Sequence, residues 1–477
     1  MSFKALAVFS LAAVSAFADG VRYKDRLFDV SEAKTVTVAE NVPFLDDMNG
    51  ENYGLVSSML EQYNASPMIY FYNREIVKKQ NVEMDVYEPK GDVAEKRPVV
   101  IICHGGAFIA GEKDSDQQSV EYADSLAARG YVTASLGYRL GVLMHSSGDT
   151  TFAIDSSDFA RSVYKALQDV HAAVRYFRAN SEKYRIDTNK IYIVGNSAGA
   201  MMGLENIYAQ SKSDFPSIVD KGAQLLPQED GSDDFDTVAL GGLDQYGAKG
   251  VGGVANGVVA LWGAVHDLNI IKNSKVPVFL AHGDSDRVMP FGKGYAMENA
   301  NQMVPSAYAF MLSALHISFD VRTPTLYGSS AIDSVLNANK VYHEFYAPRG
   351  YGLGHEFYDD IEEDKDGNEI VFADSVRNKV FAFLYNLAVD SVPEFTAKVR
   401  PLVTLAEASR ISMGEGNLSF TVTRGKNVGY AVFNLKGRRE LSGRASQGET
   451  VDLGVLNNGV YYLRVQGQAP RRIGIRK

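Results

Sequence analysis

Apolar and polar residues follow two different periods along the chain. The pattern predicts buried strands over short apolar runs at residues 97–103, 131–136, 190–194, 257–261, 276–281 and 341–346. Helical spacing of apolar residues predicts helices at residues 118–129, 158–180 and 371–387. Continuous apolar strands that alternate with helices indicate an α/β protein, with a mostly parallel sheet covered by helices. Such sheets bind ligands beyond the carboxyl ends of their strands.

Two regions depart from this alternation. Residues 204–250 are rich in glycine, aspartate and serine, and we interpret them as an insertion, either a lid over the site or a surface excursion without a role. Residues 411–477 show short alternating runs between Asn/Gly turns, which predicts a small C-terminal β-sandwich. Pro393 disfavours helix before it, and we place a linker at 391–410.

The N-terminal segment, residues 1–18, has the pattern of a secretory signal peptide. Lys4 precedes an apolar stretch at residues 5–14, and Ala16-Phe17-Ala18 is a small-residue cleavage site before Asp19. The stretch is too short to span a bilayer, which takes about 20 residues. We therefore expect an exported protein without a membrane span, whose main domain covers residues 19–390.

Composition narrows the classes of function. The chain has 477 residues, a formal net charge of -10 and one cysteine, Cys103. A single cysteine excludes an internal disulfide and a cysteine-based metal cluster. The negative charge argues against a general nucleic-acid binder. Residues 398–477 differ, because they hold 14 lysines and arginines against 5 acidic residues, and this asymmetry suggests a separate module.

Two glycine-rich turns lie at the ends of predicted strands. The G-x-S-x-G motif at residues 195–199 follows one strand and opens an apolar helical run, which is typical of a nucleophile elbow that exposes Ser197. The loop at residues 104–111 follows another strand, and its small residues allow amide groups to face the same edge. We predict an oxyanion hole from the backbone N–H groups of Gly106, Ala107 and Ala198.

A nucleophilic serine needs a base, and the base needs an orienting acid. His355 lies in a glycine-rich loop after the last strand, and we predict it as the base, with His266 as its competitor. Asp284 and Asp286 both follow the strand at residues 276–281. Aspartate in a tight turn often binds backbone amides. We assign that role to Asp284 and predict Asp286 as the acid.

These motifs resemble the α/β-hydrolase superfamily, near its bacterial esterase/lipase and acetyl-esterase branch. Residues 104–111 resemble the H-G-G-G-x-x-x-G box of that branch, with Ala107 in place of the third glycine. Residues 286–290 resemble its D-x-V-x-P acid turn. The resemblance covers roughly residues 80–390, and it implies an α/β-hydrolase fold with a Ser197–Asp286–His355 triad that needs no cofactor or metal.

The same resemblance implies a serine ester hydrolase, and the predicted signal peptide implies that it is secreted. Together with export, it favours removal of acetyl or feruloyl groups from plant polysaccharide. Two alternatives stay open at this point, a secreted serine peptidase of the same fold and a catalytically inactive surface-binding protein.

The tail resembles the C-terminal sorting domains of type IX secretion cargo. The similarity lies in residues 458–465 and in the basic end at residues 471–477. It implies the secretion machinery as a partner and delivery to the cell surface or outside the cell. The alternative is a carbohydrate-binding or structural β-module, although binding modules usually expose tryptophan and this tail has none.

Overall fold

A computed structural model gives the fold of the protein. It describes residues 20–45, 71–72, 77–114, 116–143, 145–147, 151–220, 240–271, 274–298, 318–348, 352–355, 357, 361–363, 369–392, 410–413, 419–424, 428–434, 439–465 and 471–475. The predicted signal peptide and most of the predicted linker lie outside these residues. Within them, no helix combines the length and the apolarity that crossing a bilayer requires.

The strands fall into three groups along the chain. Those up to Ser197 are β1 (Lys34–Leu45), β2 (Phe71–Tyr72), β3 (Val77–Tyr87), β4 (Arg97–Cys103), β5 (Val132–Gly137), β6 (Val142–Leu143), β7 (His145–Ser147), β8 (Thr151–Ile154) and β9 (Ile186–Asn196). The next are β10 (Gly257–Leu261), β11 (Ala264–Val265), β12 (Val278–Ala281), β13 (Lys293–Gly294), β14 (Ser318–Val321), β15 (Leu326–Gly328), β16 (His343–Tyr346), β17 (Ile361–Glu363) and β18 (Glu369–Val371). The tail contains β19 (Arg410–Met413), β20 (Ser419–Arg424), β21 (Val428–Asn434), β22 (Arg439–Ala445), β23 (Thr450–Asp452), β24 (Gly459–Val465) and β25 (Arg471–Ile475).

The helices connect the strands of the main domain. Among the described residues, the α-helices are α1 (Gln117–Ala127), α2 (Ser156–Ala179), α3 (Ser181–Tyr184), α4 (Ala198–Tyr208), α5 (Ser329–Ala338) and α6 (Phe372–Ala388). Short 3-10 turns lie at Lys212–Asp214, Ser217–Asp220 and Leu268–Ile271.

A central sheet has the strand order β1-β3-β5-β4-β9-β10-β12-β16. Strand β3 pairs antiparallel with β1 and with β5, whereas every other neighbouring pair in this sheet is parallel. Strand β5 lies between β3 and β4 in this order, and β3, next to the edge strand β1, runs opposite to the other strands. Both features are those of the α/β-hydrolase fold. The predicted fold class is therefore confirmed.

Both faces of this sheet are covered. Alternate residues of a strand point to opposite faces, and in β4 the side chains of Val99 and Ile101 join one buried cluster while Val100 and Ile102 join another. Helices α2 and α4 contribute to the first cluster, and α1 and α6 contribute to the second. The two clusters hold the carboxyl ends of the parallel strands at one rigid edge.

The predicted insertion begins later than its sequence pattern suggests. Helix α4 extends to Tyr208, so residues 204–208 belong to the main fold and not to the insertion. Arginines of α2 bind backbone carbonyls within residues 204–250 and just after them, through the pairs Arg161–Val219 (3.0 Å), Arg175–Ala248 (2.8 Å) and Arg178–Gly252 (2.6 Å). Residues 221–239 lie outside the described residues, and a lid role stays a prediction.

The tail forms two antiparallel sheets with the orders β19-β20-β23 and β22-β21-β24-β25. Phe420 and Val422 of the first sheet and Val432 and Leu463 of the second belong to one buried cluster. The tail is therefore a small β-sandwich, as predicted, and its first strand begins at Arg410, one residue inside the predicted linker.

Candidate active site

Ser197 lies at a sharp corner between β9 and α4. The strand ends at Asn196 and the helix begins at Ala198, so Ser197 alone makes the turn, with φ 52° and ψ -114°. Backbone of this kind costs a non-glycine residue about 1–3 kcal/mol. Two hydrogen bonds hold it: the Ser197 N–H donates to Leu261 O at 2.9 Å, and the Met201 N–H donates to Ser197 O at 3.0 Å. The corner has the geometry of a nucleophile elbow.

Two glycines of the motif leave no room for a side chain. A Cβ atom on Gly195 would lie 2.2 Å from Gly199 O, and a Cβ atom on Gly199 would lie 2.0 Å from Cys103 O. Both distances are far below van der Waals contact. The close approach of Gly199 to Cys103 O places the start of α4 against the end of β4, where the loop at residues 104–111 begins. The two glycine-rich turns therefore meet at the same edge of the sheet.

One chain of hydrogen bonds joins the three side chains predicted as a triad. His355 Nε2 lies 2.9 Å from Ser197 Oγ, and His355 Nδ1 lies 2.7 Å from Asp286 Oδ2. An ionised carboxylate only accepts hydrogen bonds, so Nδ1 carries a proton. In the neutral imidazole, Nε2 then accepts the Ser197 hydroxyl proton. The three residues follow β9, β12 and β16, so three separate strand ends supply them.

Asp286 is a buried carboxylate that stays ionised. Its side chain is 0% exposed, and its Oδ1 accepts from the N–H groups of Val288 (2.8 Å) and Met289 (2.9 Å). Its Oδ2 accepts from His355 and from a second imidazole, that of His282, at 3.1 Å. Burial opposes ionisation, but the hydrogen bonds from His282 and His355 outweigh it and hold the pKa of Asp286 well below its usual range.

The turn that carries Asp286 differs from expectation in one detail. The amide-binding role assigned to Asp284 belongs to Asp286 Oδ1, whereas Asp284 is half-buried and has a long 3.4 Å contact with Ser285 Oγ. A Cβ atom on Gly283 would lie 2.4 Å from Leu353 O, and the Ser285 N–H donates to Leu353 O at 2.9 Å. These backbone contacts hold the acid turn against the loop that carries the histidine.

Trp262 packs behind His355. It follows β10 with φ 46°, and its backbone N–H donates to Ala281 O at 2.6 Å. Its indole ring makes edge-to-face contacts with His355 (6.1 Å between centroids) and with Phe357 (5.5 Å). The side chain is fully buried. Trp262 therefore forms a fixed wall that limits rotation of the imidazole.

The loop at residues 104–111 contains three consecutive residues at positive φ. The angles are 101° at Gly106, 53° at Ala107 and 63° at Phe108. The N–H groups of Ile109 and Ala110 both donate to Gly106 O, at 2.9 Å and 3.0 Å. Ala107 thus takes a left-handed conformation at the position where the resembling family has glycine, and the turn keeps its tight form.

His104 and Tyr138 anchor the start of this loop. Their rings stack with centroids 4.3 Å apart, and Tyr138 Oη donates to the carbonyls of His104 and Gly105, both at 3.0 Å. Burial lowers the pKa of His104, so its imidazole is neutral, and Nδ1 donates to Gly105 O at 2.7 Å. Ala198, whose N–H group is the third predicted donor of the oxyanion hole, is the first residue of α4. The first N–H groups of a helix have no partner within the helix.

His266, the competing base, is bound elsewhere. Its Nδ1 lies 2.9 Å from Glu205 Oε1, its Nε2 lies 2.8 Å from Asp214 O, and its ring stacks on Phe215. Burial opposes its protonation, but the Glu205 carboxylate raises the pKa of His266 to about 9. At neutral pH His266 is therefore a cation without a lone pair that could accept a proton from serine.

Among the described residues, this edge of the sheet has neither an available cysteine nucleophile nor a metal site. Cys103 is fully buried, and burial raises the pKa of its thiol, so it is not an available nucleophile. In the part of the chain that the structure describes, no group of three or more His, Cys, Asp or Glu side chains could hold a metal ion.

Sequence reasoning missed His282 and the anchoring role of Tyr138. A signal for His282 was present, because it directly follows β12 and precedes Asp286 by four residues, which places both at the same strand end. No sequence signal distinguishes a tyrosine that binds two loop carbonyls from an ordinary core tyrosine.

Comparisons with known proteins find similarity over part of the chain. A family model named BD-FAE matches residues 84–300, a span that includes Ser197 and Asp286 but not His355. The matched region is less than half of the chain.

Two curated relatives and one solved structure show how far the similarity extends. Carboxylesterase 3B of Mus musculus is 31% identical over 129 residues, which cover 26% of this chain and 20% of that protein. Juvenile hormone esterase of Tribolium castaneum is 27% identical over 160 residues, which cover 33% of this chain and 25% of that protein. The chain thus matches a quarter or less of each relative's length.

Esterase 2 of Thermogutta terrifontis, phosphoramylated by tabun, shares 14% identity with a TM-score of 0.38, over 64% of this chain and 90% of that one. The fold assignment rests on strand order and direction, not on this likeness. The chain is similar to the BD-FAE family over its middle part and, over shorter stretches, to carboxylesterase 3B and to juvenile hormone esterase.

Proposed function

We propose that the protein is a serine carboxylic-ester hydrolase. The observation that carries the proposal is the hydrogen-bonded chain Ser197–His355–Asp286 at the carboxyl edge of the sheet. A buried, ionised acid orients a neutral imidazole, and the imidazole accepts the hydroxyl of a serine held at a strained corner. The matches to carboxylesterase 3B and juvenile hormone esterase support ester hydrolysis as the reaction.

The reaction proceeds through an acyl-enzyme. Ser197 Oγ attacks the ester carbonyl carbon while its proton passes to His355 Nε2. The backbone N–H groups of Gly106, Ala107 and Ala198 stabilise the negative charge on the former carbonyl oxygen. The tetrahedral intermediate collapses, the bond to the alkoxy oxygen breaks, and His355 protonates the leaving alcohol. Water then attacks the acyl-enzyme with His355 again as base, which releases the carboxylic acid and restores Ser197.

Asp286 contributes through charge and orientation. While His355 holds the serine proton it is an imidazolium, and the ionised carboxylate 2.7 Å from Nδ1 stabilises that cation. The same contact keeps the proton of the neutral ring on Nδ1, so that Nε2 is free to act as the base.

The nucleophile is tested by Ser197→Ala. We expect hydrolysis of a short p-nitrophenyl ester to fall by about four to six orders of magnitude, because the triad acts as a unit. Circular dichroism should show an unchanged fold. Ser334→Ala is the matched control, since this exposed serine bonds only within α5 in the described structure and the variant should retain full activity. Turnover close to wild type in folded Ser197→Ala protein would exclude the proposed mechanism.

The acid is tested by comparing Asp286→Asn with Asp284→Asn. An amide at 286 cannot stabilise the imidazolium, so kcat should fall by about 10⁴-fold, as in other triads. Asp284→Asn should change kcat by less than about twofold, because its carboxylate touches neither imidazole in the described structure. Steady-state kinetics on the same ester measure both variants. A larger loss of kcat in Asp284→Asn would mean that the acid has been assigned to the wrong residue.

For the substrate, we propose acylated plant polysaccharide, with acetyl or feruloyl groups as the acyl part. The predicted signal peptide at residues 1–18 supports an enzyme that meets polymers outside the cell. The resemblance of residues 104–111 to the box of the acetyl-esterase branch supports the same class.

Product release from polymer tests the substrate class. Purified protein is incubated with acetylated xylan and with feruloylated xylan, and acetate and ferulate are measured by chromatography. We expect release from at least one polymer, and none with Ser197→Ala. If the wild type hydrolyses the p-nitrophenyl ester but leaves both polymers intact, the polysaccharide assignment is wrong while the ester-hydrolase proposal stands.

For the tail, we propose a sorting role in secretion to the cell surface or outside. The basic charge of residues 398–477 and their separate β-sandwich core support an independent unit. The alternative, binding of insoluble carbohydrate, makes a different prediction for a truncated chain.

Truncation after Asp390 separates these roles. The chain that ends there keeps α6 and every strand of the central sheet, so we expect full activity on a small soluble ester. In the native host, fractionation should find it in the periplasm instead of at the surface. Unchanged export together with lost binding to insoluble polysaccharide would instead identify the tail as a binding module.

A further inference from the structure

His282 occupies a position that the triad mechanism does not explain. It directly follows β12, its side chain is 0% exposed, and its backbone N–H donates to Tyr346 O at 3.1 Å. Its Nε2 lies 3.1 Å from Asp286 Oδ2, the same oxygen that accepts from His355. One carboxylate oxygen therefore lies between two imidazoles.

The proton positions on His282 follow from its partners. Asp286 is ionised and can only accept, and Met289 O, 3.4 Å from Nε2, also only accepts. Nε2 therefore carries a proton and donates it to Asp286. Nδ1 lies 2.9 Å from Ser329 Oγ, the first side chain of α5, which anchors the far side of the ring. The Phe291 ring stands edge-on to the imidazole at 5.6 Å and restricts its rotation.

Ser329, His282 and Asp286 repeat the residue types of the triad, but they cannot repeat its chemistry. Ser329 is fully buried, so no ester carbonyl can reach its hydroxyl. His282 lies on the opposite side of Asp286 from Ser197 in the hydrogen-bonded chain, and it does not touch the serine. Its effect on the reaction must pass through the carboxylate.

We propose that His282 is a positioning residue for the triad acid, which keeps Asp286 Oδ2 in line with His355 Nδ1. Two backbone amides hold Oδ1, and His282 supplies the corresponding fixed donor at Oδ2. Without it, Oδ2 keeps only the contact with His355 itself, and no fixed donor on the other side holds this oxygen in line with the imidazole. The proposal rests on the ester-hydrolase function proposed above.

His282 also controls the charge that His355 experiences. A hydrogen bond from Nε2 withdraws negative charge from Oδ2, so its loss leaves more charge facing His355. A protonated His355 is then more strongly stabilised. The acid limb of the pH profile of kcat/KM consequently moves to higher pH. Among the described residues, Asp286 is the titratable side chain hydrogen-bonded to His282, and His355 is the next along that chain.

Two substitutions of His282, to Gln and to Asn, test this role, because both introduce a side-chain amide and differ only in its reach. In His282→Gln the side-chain nitrogen reaches the position of Nε2 and can donate to Asp286, whereas in His282→Asn it reaches only the position of Nδ1. We expect kcat on a p-nitrophenyl ester to fall about 10- to 100-fold in His282→Asn, with KM within about twofold. His282→Gln should restore kcat to within about threefold of wild type, and of these two variants only His282→Asn should shift the acid limb.

His343→Asn is the matched control. It removes another buried His–Asp pair, with Asp333 at 3.2 Å and both side chains less than a tenth exposed, at a site without contact to the triad. Thermal unfolding of each variant records the structural loss. If His282→Asn and His343→Asn lower the melting temperature alike and both keep wild-type kcat and pH profile, His282 is structural only and the proposal is overturned.

Two further variants keep the outcome decisive. Ser329→Ala retains His282 but removes its outer anchor, so kcat should fall about two- to fivefold with a limb shift in the same direction. If His282→Asn fails to fold, a Ser329→Ala variant with the kcat and the pH profile of the wild type overturns the proposal. Ser197→Ala separates the two hypotheses: activity that survives in it refutes the ester-hydrolase function, whereas its inactivity beside wild-type kinetics in His282→Asn refutes only the positioning role.

Discussion

The close approach of Gly199 to the carbonyl of Cys103 is the constraint on which the rest of the site depends. Because no side chain separates them, the first turn of α4 rests directly on the end of β4. Ala198 and the loop at residues 104–111 are thereby brought side by side. Gly283 does the same for the acid turn and the histidine loop. The site is thus assembled by backbone contacts, and its side chains act from positions that these contacts define.

Strained backbone accumulates where these contacts meet. Ser197, Ala107, Phe108 and Trp262 all have positive φ, and each such residue costs about 1–3 kcal/mol. The strain persists because the surrounding strands are rigid: β4 and β10 are fully buried along their whole lengths. A sheet packed on both faces can hold a strained corner that an exposed loop would relax.

The sequence predicts well the strands that are buried on both faces, and it predicts poorly the strands that alternate apolar with polar residues. Strands β4 and β10 have the predicted bounds, because strands buried on both faces are continuous apolar runs. Strands β1 and β3 are not predicted, because they alternate apolar with polar residues at the edge of the sheet and next to it. Ser197, Asp286 and His355 could be selected because small residues and strand ends flank them. His282 could be placed at the same strand end as Asp286, but its role could not be predicted, since that role depends on a contact to Asp286 that only the folded turn creates.

The burial of Cys103 would matter in an oxidising compartment, to which the proposed export would deliver the chain. Thiol–disulfide exchange requires a thiolate that can reach its partner, and here the folded protein offers neither exposure nor a low pKa. Once the central sheet has closed over it, the lone sulfur is inert toward oxidases and small disulfides. Cross-linked dimers can then form only from chains that have not yet folded. Folding itself thus protects the only thiol of the protein.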